Sequence, residues 1–428
     1  MTVSTTTDID QLPTIADHLP KGLWEADVIA ASERLFDAQA DLLGDGDGGV
    51  IALRFKDIRT LSENPLVGSA PVEFLTGRAA ERLRRAGQAP TPAVADNPFA
   101  VFLRNQIFTT NPPVHNNVRR IIARHLMPRA VQQFLPAAER IASEVVDAGR
   151  REGRCDFTRD IANRYVTRFW TDQLGIPDDE SGLIQQLMAE MNRMFLFAPT
   201  TQDSRRVQSG CATYMEVVGD AVTRAWRGGD NALLSALAAD LAAADEPAGP
   251  QDLGKLVASN FFDGFHTVGV ALSNVVYHLL ANPESHRRVR SDAALVPQAF
   301  SEGIRLGAPL MMTTRVTLDA VEYNGLRMPK NTPITMIWAA GNRDPRAFDE
   351  PAAYRLMRPA HRTTTFGGGA HICPGRSAAR LLSEVALRVL TSSGVHIELA
   401  ETTHRWMPGS AIRHLDAMPV TIASGGPA

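Results

Sequence analysis

The longest apolar stretch of the chain, residues 253–281, most limits the folds open to it. Its length and pattern predict one long α-helix, which the following Asn282-Pro283 pair ends. Asp263 and His266 lie inside the stretch and are too polar for a lipid-facing span. The segment is therefore predicted to be a helix of a globular protein and not a membrane anchor.

Composition agrees with a globular protein. The chain has 428 residues, of which 44% are hydrophobic and 21% charged, and its net charge of -3 favours neither nucleic acid nor an anionic membrane. The first twenty residues lack the basic and apolar regions of a signal peptide. Three scattered cysteines, Cys155, Cys211 and Cys373, argue against a disulfide framework and fit the reducing cytoplasm.

Helical patterns outnumber strand patterns along the chain. Near the N-terminus, residues 50–54 read as a strand, and a helix is predicted to start with Asp57 as its N-cap and to stop before Pro65. Residues 67–102 contain scattered Pro, Gly and Ala and are predicted to form a long loop with one short helix. Residues 116–281 are mostly helical, with a break at 245–252.

Beyond residue 312 the spacing of apolar residues changes from that of helices to the alternation typical of short strands. A hairpin turn is predicted at Asn324-Gly325. Further strands are predicted close to the C-terminus, in VHIEL and MPVTI. Strand segments thus come from both ends of the chain. The expected fold class is mainly α with a minor β-sheet region (α+β), in one domain over residues 1–428 with a poorly ordered N-terminal arm at residues 1–20.

The stretch TTFGGGAHICPG, residues 364–375, places one cysteine after a run of glycines. Pro374 is predicted to be the first residue of a helix, whose dipole favours the Cys373 thiolate, a strong soft metal ligand. The glycines allow backbone to approach a large flat partner, and His371 could donate to an anionic group on its edge. A zinc site would need more Cys or His nearby, and a dinucleotide loop would need glycine in place of Ile372.

The full run F-G-x-G-x-H-x-C-x-G resembles the haem-ligating signature of the cytochrome P450 family. It is matched at Phe366, Gly367, Gly369, His371, Cys373 and Gly375. Other matches follow in the family's order: the E-x-x-R helix pair Glu302 and Arg305, the later arginine Arg358, NPPVHNNVRR with Asn111 in place of Asp, and GNRDPRAF with glycine in place of alanine.

The resemblance implies the cytochrome P450 fold, with a long central helix over haem b (iron protoporphyrin IX). It implies Cys373 as the axial thiolate ligand of the haem iron, with Phe366 packed under the ring. Further residues are implied to bind the cofactor, partly by pairing with its carboxylates: His115, Arg119, Arg315, His371, Gly367 and Gly264. Glu302, Arg305 and Arg358 are implied to be structural.

One departure from the family bears on mechanism. The family's central helix carries A-G-x-D/E-T, whereas this chain has Asp263-Gly264-Phe265-His266-Thr267. His266 could replace the acid as a proton relay. Asp263 could hydrogen-bond Thr267 one turn away, or anchor a cationic or hydrogen-bonding group of the substrate. A fourth possibility is that Asp263 only bonds water or backbone. Catalytic roles are predicted for Thr267, His266 and Asp263.

The resemblance also implies a substrate pocket and redox partners. The pocket residues are predicted to be Phe262, Asp263, Leu310, Met311, Met312, Ser410, Ala411 and Ile412. The expected protein is a cytoplasmic, monomeric monooxygenase that uses O2 and two electrons to hydroxylate or otherwise oxidise a small molecule, such as a natural-product intermediate. Electrons are expected from a ferredoxin and an NAD(P)H-dependent ferredoxin reductase, docked on arginines that include Arg119, Arg120, Arg124, Arg129 and Arg376.

Two other classes of protein remain open at the level of the sequence. The missing acid before Thr267 raises the possibility of an atypical haem-thiolate enzyme, such as a peroxygenase or a catalyst of oxidative coupling, ring closure or rearrangement. A non-catalytic haem sensor or carrier is the other, and the retained Gly264 and Thr267 argue against it.

Overall fold

The computed structural model describes residues 7–37, 40–85, 97–244, 250–359 and 362–424. Within them helices predominate and the strands form three small sheets, which confirms the predicted mainly-α class. The helices are α1 (Ile15–His18), α2 (Leu23–Ala26), α3 (Val28–Phe36), α4 (Phe55–Glu63), α5 (Val72–Arg85), α6 (Pro98–Arg104), α7 (Val114–His125), α8 (Leu135–Glu152), α9 (Arg164–Gln173), α10 (Ser181–Met191), α11 (Thr201–Gly228), α12 (Ala232–Ala242), α13 (Pro250–Leu280), α14 (Pro283–Ser291), α15 (Val296–Leu306), α16 (Trp338–Gly341) and α17 (Arg376–Leu390).

The strands are short. They are β1 (Thr7–Asp8), β2 (Leu42–Gly44), β3 (Val50–Ala52), β4 (Val67–Ser69), β5 (Arg154–Asp156), β6 (Thr313–Thr317), β7 (Val321–Tyr323), β8 (Leu326–Met328), β9 (Pro333–Met336), β10 (Val395–Leu399) and β11 (Pro419–Ser424). Among the residues described, no helix is both long enough and apolar enough to cross a membrane.

The chain divides into two units, and the first consists of Met1–Ser69, Ser273–Cys373 and Thr402–Asp416. Its larger sheet has the strand order β2-β3-β9-β6-β4, and its smaller sheet has the order β1-β8-β7. Both sheets pair strands from the N-terminal segment with strands near residues 313–336. A core of aliphatic side chains and Trp338 packs with these strands and with α4.

The second unit consists of Ala70–Leu272, Pro374–Glu401 and Ala417–Ala428. Its sheet has the order β10-β11-β5, so that a strand near residue 155 pairs with the C-terminal strand. Helices α8 and α17 pack together in this unit, as do α10 and α11. Both units combine segments from distant parts of the chain, in line with the predicted scatter of strands.

Several local predictions near the N-terminus were wrong. Helix α4 begins at Phe55, and Asp57 lies inside its first turn, buried, where its carboxylate accepts a hydrogen bond from the Tyr323 hydroxyl (2.6 Å) instead of capping the helix. The predicted loop at 67–102 contains β4, α5 and α6, while its residues 86–96 lie outside the described residues. The predicted N-terminal arm contains β1 and α1, and its residues 1–6 are likewise not described.

Other predictions held. The hairpin turn lies between β7 and β8, where Asn324 and Gly325 have φ values of 50° and 77°, the left-handed conformation of a two-residue turn. The long helix α13 begins at Pro250, three residues before the predicted start, and ends at Leu280 before Asn282. The predicted break at 245–252 overlaps residues 245–249, which are not described.

A buried ion network in the first unit holds a segment that has little regular structure. Arg305 donates from Nε and Nη2 to the two carboxylate oxygens of Glu302 at 2.9 and 2.8 Å, and Arg358 donates from Nε to the same carboxylate at 3.0 Å. The guanidinium of Arg305 is completely buried and also donates to three backbone carbonyls. These belong to Asn342, Pro351 and Ala353.

Burial favours the neutral form of Glu302, but the hydrogen bonds and charge of Arg305 outweigh it, so the pKa of this carboxyl lies below its ordinary value. Glu302 therefore stays ionised and neutralises charge in the interior. The three residues predicted to be structural, Glu302, Arg305 and Arg358, are linked to one another by hydrogen bonds in this network.

We expect Glu302→Ala to lower the free energy of unfolding by about 3–5 kcal/mol, because it leaves two buried guanidinium groups without their counter-ion. Chemical denaturation of the haem-loaded protein measures the effect. The control is Asp41→Ala, which removes an exposed partner of Arg346 and should cost at most about 1 kcal/mol. Equal losses in the two variants would contradict a special role for the buried network.

Candidate functional site

The loop that carries Cys373 is closed by its own backbone. The Cys373 N–H donates to the carbonyl of Phe366 at 2.9 Å, and the Gly367 N–H donates to the carbonyl of Thr364 at 2.9 Å. Both Phe366 and Cys373 are half-buried. The prediction that Pro374 is the first helical residue was wrong, because α17 begins at Arg376 with Gly375 as its N-cap. The thiol therefore lies on the loop before the helix.

Side chains anchor the start of this loop in the first unit. The amide oxygen of Asn342 accepts from the Thr364 N–H (2.7 Å), and its amide nitrogen donates to the hydroxyl of Thr365 (2.7 Å). The Thr365 hydroxyl in turn donates to the carbonyl of Ile304 on α15 (3.1 Å). Asn342 also offers its carbonyl to Arg305, so the ion network and the cysteine loop share one residue.

The glycines serve a purpose that the sequence did not indicate. Gly369 has a φ of 63°, and a Cβ there would overlap the carbonyl oxygen of Ser62 at the end of α4. A Cβ at Gly368 would overlap the Ser62 hydroxyl. Two of the three glycines are thus required by packing against α4. At Gly367 (φ 69°) a Cβ would make only an ordinary contact with the His371 carbonyl oxygen, 3.7 Å away, so its left-handed backbone and not crowding calls for glycine there.

Arg315 and His371, two predicted partners of a haem carboxylate, meet at one serine. The Ser69 hydroxyl accepts from Nη1 of Arg315 at 2.8 Å and lies 3.2 Å from Nδ1 of His371. Ser69 and Arg315 are direct partners across β4 and β6. Sequence reasoning missed Ser69, since nothing in the sequence marks a cross-strand pair 246 residues apart.

Arg315 is a buried cation. It is 8% exposed, and among the described residues no carboxylate oxygen lies within ion-pair distance of its guanidinium. Burial lowers the pKa of Arg315 to about 10. A buried guanidinium ordinarily has an anionic partner, because an unpaired charge is costly to desolvate. The residues present therefore fit a group that brings its own carboxylate, as haem does.

Cys155 and Cys211 differ from Cys373 in surroundings. Burial raises the pKa of the Cys155 thiol to about 11 and that of Cys211 to about 12, so both remain protonated and unreactive at neutral pH. No disulfide forms among the three. Across the described ranges, no cluster of three or more His, Cys, Asp or Glu side chains could hold a bare metal ion.

In the second unit, the predicted catalytic residues follow one another along α13. The Thr267 hydroxyl donates to the backbone carbonyl of Asp263 at 2.6 Å, so it does not bond the Asp263 carboxylate directly. Gly264 faces Trp170 of α9, whose indole nitrogen would lie 3.1 Å from a Cβ at this position. The missing side chain of Gly264 thus serves helix packing in this unit.

The His266 side chain packs against the segment that follows α10. Its ring is 5% exposed, its Nδ1 lies 3.1 Å from the amide nitrogen of Asn192, and Phe195 stacks on it with ring centroids 6.4 Å apart. Asn192 and Phe195 follow α10 directly. No local pattern indicates this contact, because it joins residues 74 positions apart.

Asp263 is a predicted site residue whose carboxyl pKa departs far from its ordinary value. Burial raises the pKa of its carboxyl to about 7, and the side chain is nevertheless only half-buried. Beside it, Phe262 packs edge-to-face with Phe102 of α6 and Tyr214 of α11, at centroid distances of 5.1 and 5.7 Å. The carboxyl group therefore lies next to an apolar, aromatic region of the second unit.

Two predicted pocket segments meet in the first unit. Leu310 forms a β-bridge with Ile412, and the Met311 N–H donates to the carbonyl of Ala411 at 2.8 Å. Met311, Ser410 and Ile412 are buried, and these side chains belong to the core. The remaining members are half-buried and keep open surface; they are Leu310, Met312 and Ala411.

His115 and Arg119 lie one turn apart on α7 in the second unit, as their spacing predicts. His115 is 1% exposed, and its Nδ1 is 3.2 Å from the side-chain oxygen of Asn116. Arg119 is half-buried. Of the arginines expected to form a docking face, the remaining four are exposed: Arg120, Arg124, Arg129 and Arg376.

We expect Asp263→Asn to raise the melting temperature of the ligand-free protein near pH 8. The ordinary pKa of 3.8 rises to about 7 on folding, so the folded state keeps a proton that the unfolded state releases. Stability is therefore lost as pH rises from about 4 to about 7, to a limit of about 4 kcal/mol. Thermal unfolding should show a gain that shrinks toward pH 5, whereas the exposed control Asp220→Asn should show none. A gain independent of pH would contradict the desolvated charge.

Comparison with known proteins is consistent with this geometry. A sequence model of the family described as Cytochrome P450 matches residues 183–392. A curated relative, 6-deoxyerythronolide B hydroxylase of Saccharopolyspora erythraea, is 27% identical over 319 residues, which cover 73% of this chain and 77% of the relative. Nocardicin C N-oxygenase of Nocardia uniformis subsp. tsuyamanensis is 26% identical over 346 residues, covering 79% and 84%.

The fold agrees as well. The crystal structure of CalO2 matches with a TM-score of 0.81 at 21% identity, covering 95% of this chain and 98% of that chain. The family model spans α13 and α15 as well as the cysteine loop, and the structural match covers most of the chain. The chain belongs to the cytochrome P450 family of haem-dependent monooxygenases.

Proposed function

We propose that this protein binds haem b through the thiolate of Cys373 and uses O2 and two electrons to hydroxylate or otherwise oxidise a small organic molecule. The cytochrome P450 family uses haem b and acts on small-molecule substrates. The observation that carries the assignment to this chain is the pair of features in the first unit: a backbone-closed loop that presents Cys373, and the buried Arg315 with no carboxylate near it among the described residues.

Arg315 and His371 are proposed to hold one haem carboxylate, with Ser69 orienting the guanidinium. The Ser69 hydroxyl contacts both side chains, so their nitrogen atoms lie close to each other. His115 and Arg119 are proposed to hold the other carboxylate, because they share a face of α7. Phe366 and Gly367 are proposed to contact the ring, and Glu302, Arg305 and Arg358 to act only through the scaffold.

When bound, haem supplies the activation of O2, and the residues of α13 are proposed to manage protons. The Thr267 hydroxyl is held at a backbone carbonyl, where its oxygen can accept a hydrogen bond from water or ligand. His266 is proposed to relay protons to it, since an imidazole exchanges protons near neutral pH. Its contact with Asn192 keeps the ring in one orientation.

The substrate is proposed to be a natural-product intermediate. This rests on relatives whose names record such substrates, among them 6-deoxyerythronolide B hydroxylase, and on pocket residues of mixed polarity. The proposed contacts are Phe262, Asp263, Leu310, Met311, Met312, Ser410, Ala411 and Ile412. Of these, the half-buried Leu310, Met312 and Ala411 are the most open to a ligand.

A ferredoxin, reduced by an NAD(P)H-dependent ferredoxin reductase, is proposed as the electron donor. The second unit offers exposed cations on α7 and after it, and the exposed Met127 (52%) lies between Arg124 and Arg129 in the sequence. Cations around an apolar side chain suit a small acidic partner that must bind and leave quickly. The protein is further proposed to be a cytoplasmic, single-domain monomer.

A second candidate function is an atypical haem-thiolate enzyme that works with peroxide or couples, closes or rearranges its substrate. The observation that favours it is the absence of a carboxylate hydrogen-bonded to Thr267 within the described residues. A haem sensor or carrier is less well supported, because Gly264 and Thr267 keep the family's helix pattern.

The function is tested first by the spectrum of the reduced, CO-bound protein. The wild-type protein is expected to give the strongly red-shifted Soret band of a thiolate ligand, and Cys373→Ser should lose it. Cys211→Ser is the matched control and should keep it. For any compound that shifts the ferric spin state, label from 18O2 should then enter the product with ferredoxin, reductase and NAD(P)H. Product formed only with peroxide would support the atypical enzyme instead.

His266→Gln tests the proton relay. Glutamine can keep a hydrogen bond to Asn192 but cannot titrate, so we expect at least a roughly tenfold rise in peroxide released per product formed. Asn192→Ala is the companion variant, since it removes the partner and leaves the imidazole. It should change this ratio much less. Equal uncoupling in both variants would mean that His266 only positions the α10 end.

A further inference from the structure

We propose that Asp263, supported by Tyr214, is an anchor for a protonated amine, so that the substrate of this enzyme carries a basic nitrogen. The inference rests on the proposed function, because it specifies the substrate class of the same site. It concerns two residues of the second unit that no motif of the family brings together.

The first observation is the lack of a partner for the carboxylate. Among the described residues, no side chain or backbone group donates a hydrogen bond to the Asp263 carboxylate, and no cation lies within ion-pair distance of it. The Asp263 residue keeps some open surface. In contrast, the buried carboxylate of Glu302 in the first unit is covered by two guanidinium groups.

The second observation is a hydroxyl close by that is also unused. The Tyr214 side chain is completely buried, and its hydroxyl oxygen has no hydrogen-bond partner in the described structure. The Tyr214 ring packs against Phe262, the residue before Asp263 on α13, at a centroid distance of 5.7 Å. Burial raises the pKa of Tyr214, and the charge of Asp263 raises it further. The phenol therefore remains a neutral donor. In this proposal the phenol donates to the Asp263 carboxylate once a cation is bound there.

The surroundings strengthen the attraction between opposite charges. Phe102, Tyr214 and Phe262 pack edge-to-face with one another, Phe262 directly precedes Asp263 on α13, and all three rings are almost fully buried. An ion pair next to such apolar groups is less screened than one in water. The desolvation that makes an empty Asp263 costly thus favours a ligand that brings a positive charge.

A different ligand chemistry competes for the same carboxyl. In its neutral form Asp263 could donate to a carbonyl oxygen of an uncharged substrate. The two possibilities differ in the compounds that they favour, since an ammonium group gains from an ionised carboxylate and a carbonyl does not. The unpaired carboxylate beside a free donor favours the amine.

The test is a comparison within matched sets of probes. Each set carries a dimethylamine, an alcohol or a carboxylate at the end of one scaffold, and the scaffolds are phenylbutyl, decyl and naphthylethyl. Affinity for the haem-loaded protein is measured near pH 8 by equilibrium dialysis, and by the optical spin shift as a second readout. We expect the amine to bind about 10- to 100-fold more tightly than the alcohol on at least one scaffold, as for a charged hydrogen bond in a desolvated site.

Three variants complete the experiment. Asp263→Asn should reduce the preference for the amine to about twofold or less, and Tyr214→Phe should weaken amine binding by a smaller factor. The exposed Asp220→Asn makes the same chemical change elsewhere in the unit and should leave the preference intact. The CO spectrum of each variant confirms that its haem site is formed.

The results distinguish a failure of the amine anchor at Asp263 from a failure of the haem-thiolate assignment. If the wild-type protein shows no preference for the amine on any scaffold, or does not bind the amines, the anchor is refuted even though the thiolate spectrum is normal. A preference that survives in Asp263→Asn refutes it as well. If the thiolate spectrum is missing while dialysis still shows Asp263-dependent amine binding, the haem assignment fails and the amine site stands.

Discussion

The carboxylate of Glu302 is the interaction on which the scaffold of the cysteine loop depends. It fixes the guanidinium groups of Arg305 and Arg358, and these groups bind the backbone of the segment 342–358, which has little regular structure of its own. Asn342, at the start of that segment, then binds Thr364 and so reaches the loop that ends in Cys373. The position of a reactive thiol thus depends on an ion network that never touches it.

The buried charges of the chain fall into two kinds, and the difference separates scaffold from site. Arg305 uses all its donors on protein groups, and its charge is balanced by Glu302. Arg315 and Asp263 have no charged partner among the described residues, although desolvation shifts the pKa of each toward its neutral form. Such imbalances are costly in a folded protein and are retained at functional sites, where a ligand restores the balance.

The sequence predicted features that depend on local chemistry. The Asn324-Gly325 turn, the long helix α13 and the mainly helical class follow from residue type and period, and the cysteine motif identified the family. Features that depend on distant partners were missed or misread. Asp57 looks like a helix cap, but its carboxylate bonds Tyr323 from a remote strand. Ser69 meets Arg315 through the register of a sheet, which no local pattern encodes.

The glycine run of the cysteine loop also depends in part on distant residues that the local pattern does not reveal. Sequence reasoning assigned all three glycines to the approach of a flat cofactor, whereas Gly368 and Gly369 make room for the end of α4. The motif therefore combines two requirements, one from the fold and one from the ligand. From a single sequence the two are indistinguishable, because both call for the absence of a side chain.

The contacts made by Arg305 and Arg358 also have an evolutionary consequence. Apart from Glu302, their acceptors are main-chain carbonyl oxygens, including those of Asp349, Pro351 and Ala353. Every amino acid carries such an oxygen, so the path of residues 349–353 is specified without reference to the identity of their side chains. This part of the surface is free to diverge between relatives and to acquire new partners, while the geometry beneath it stays unchanged.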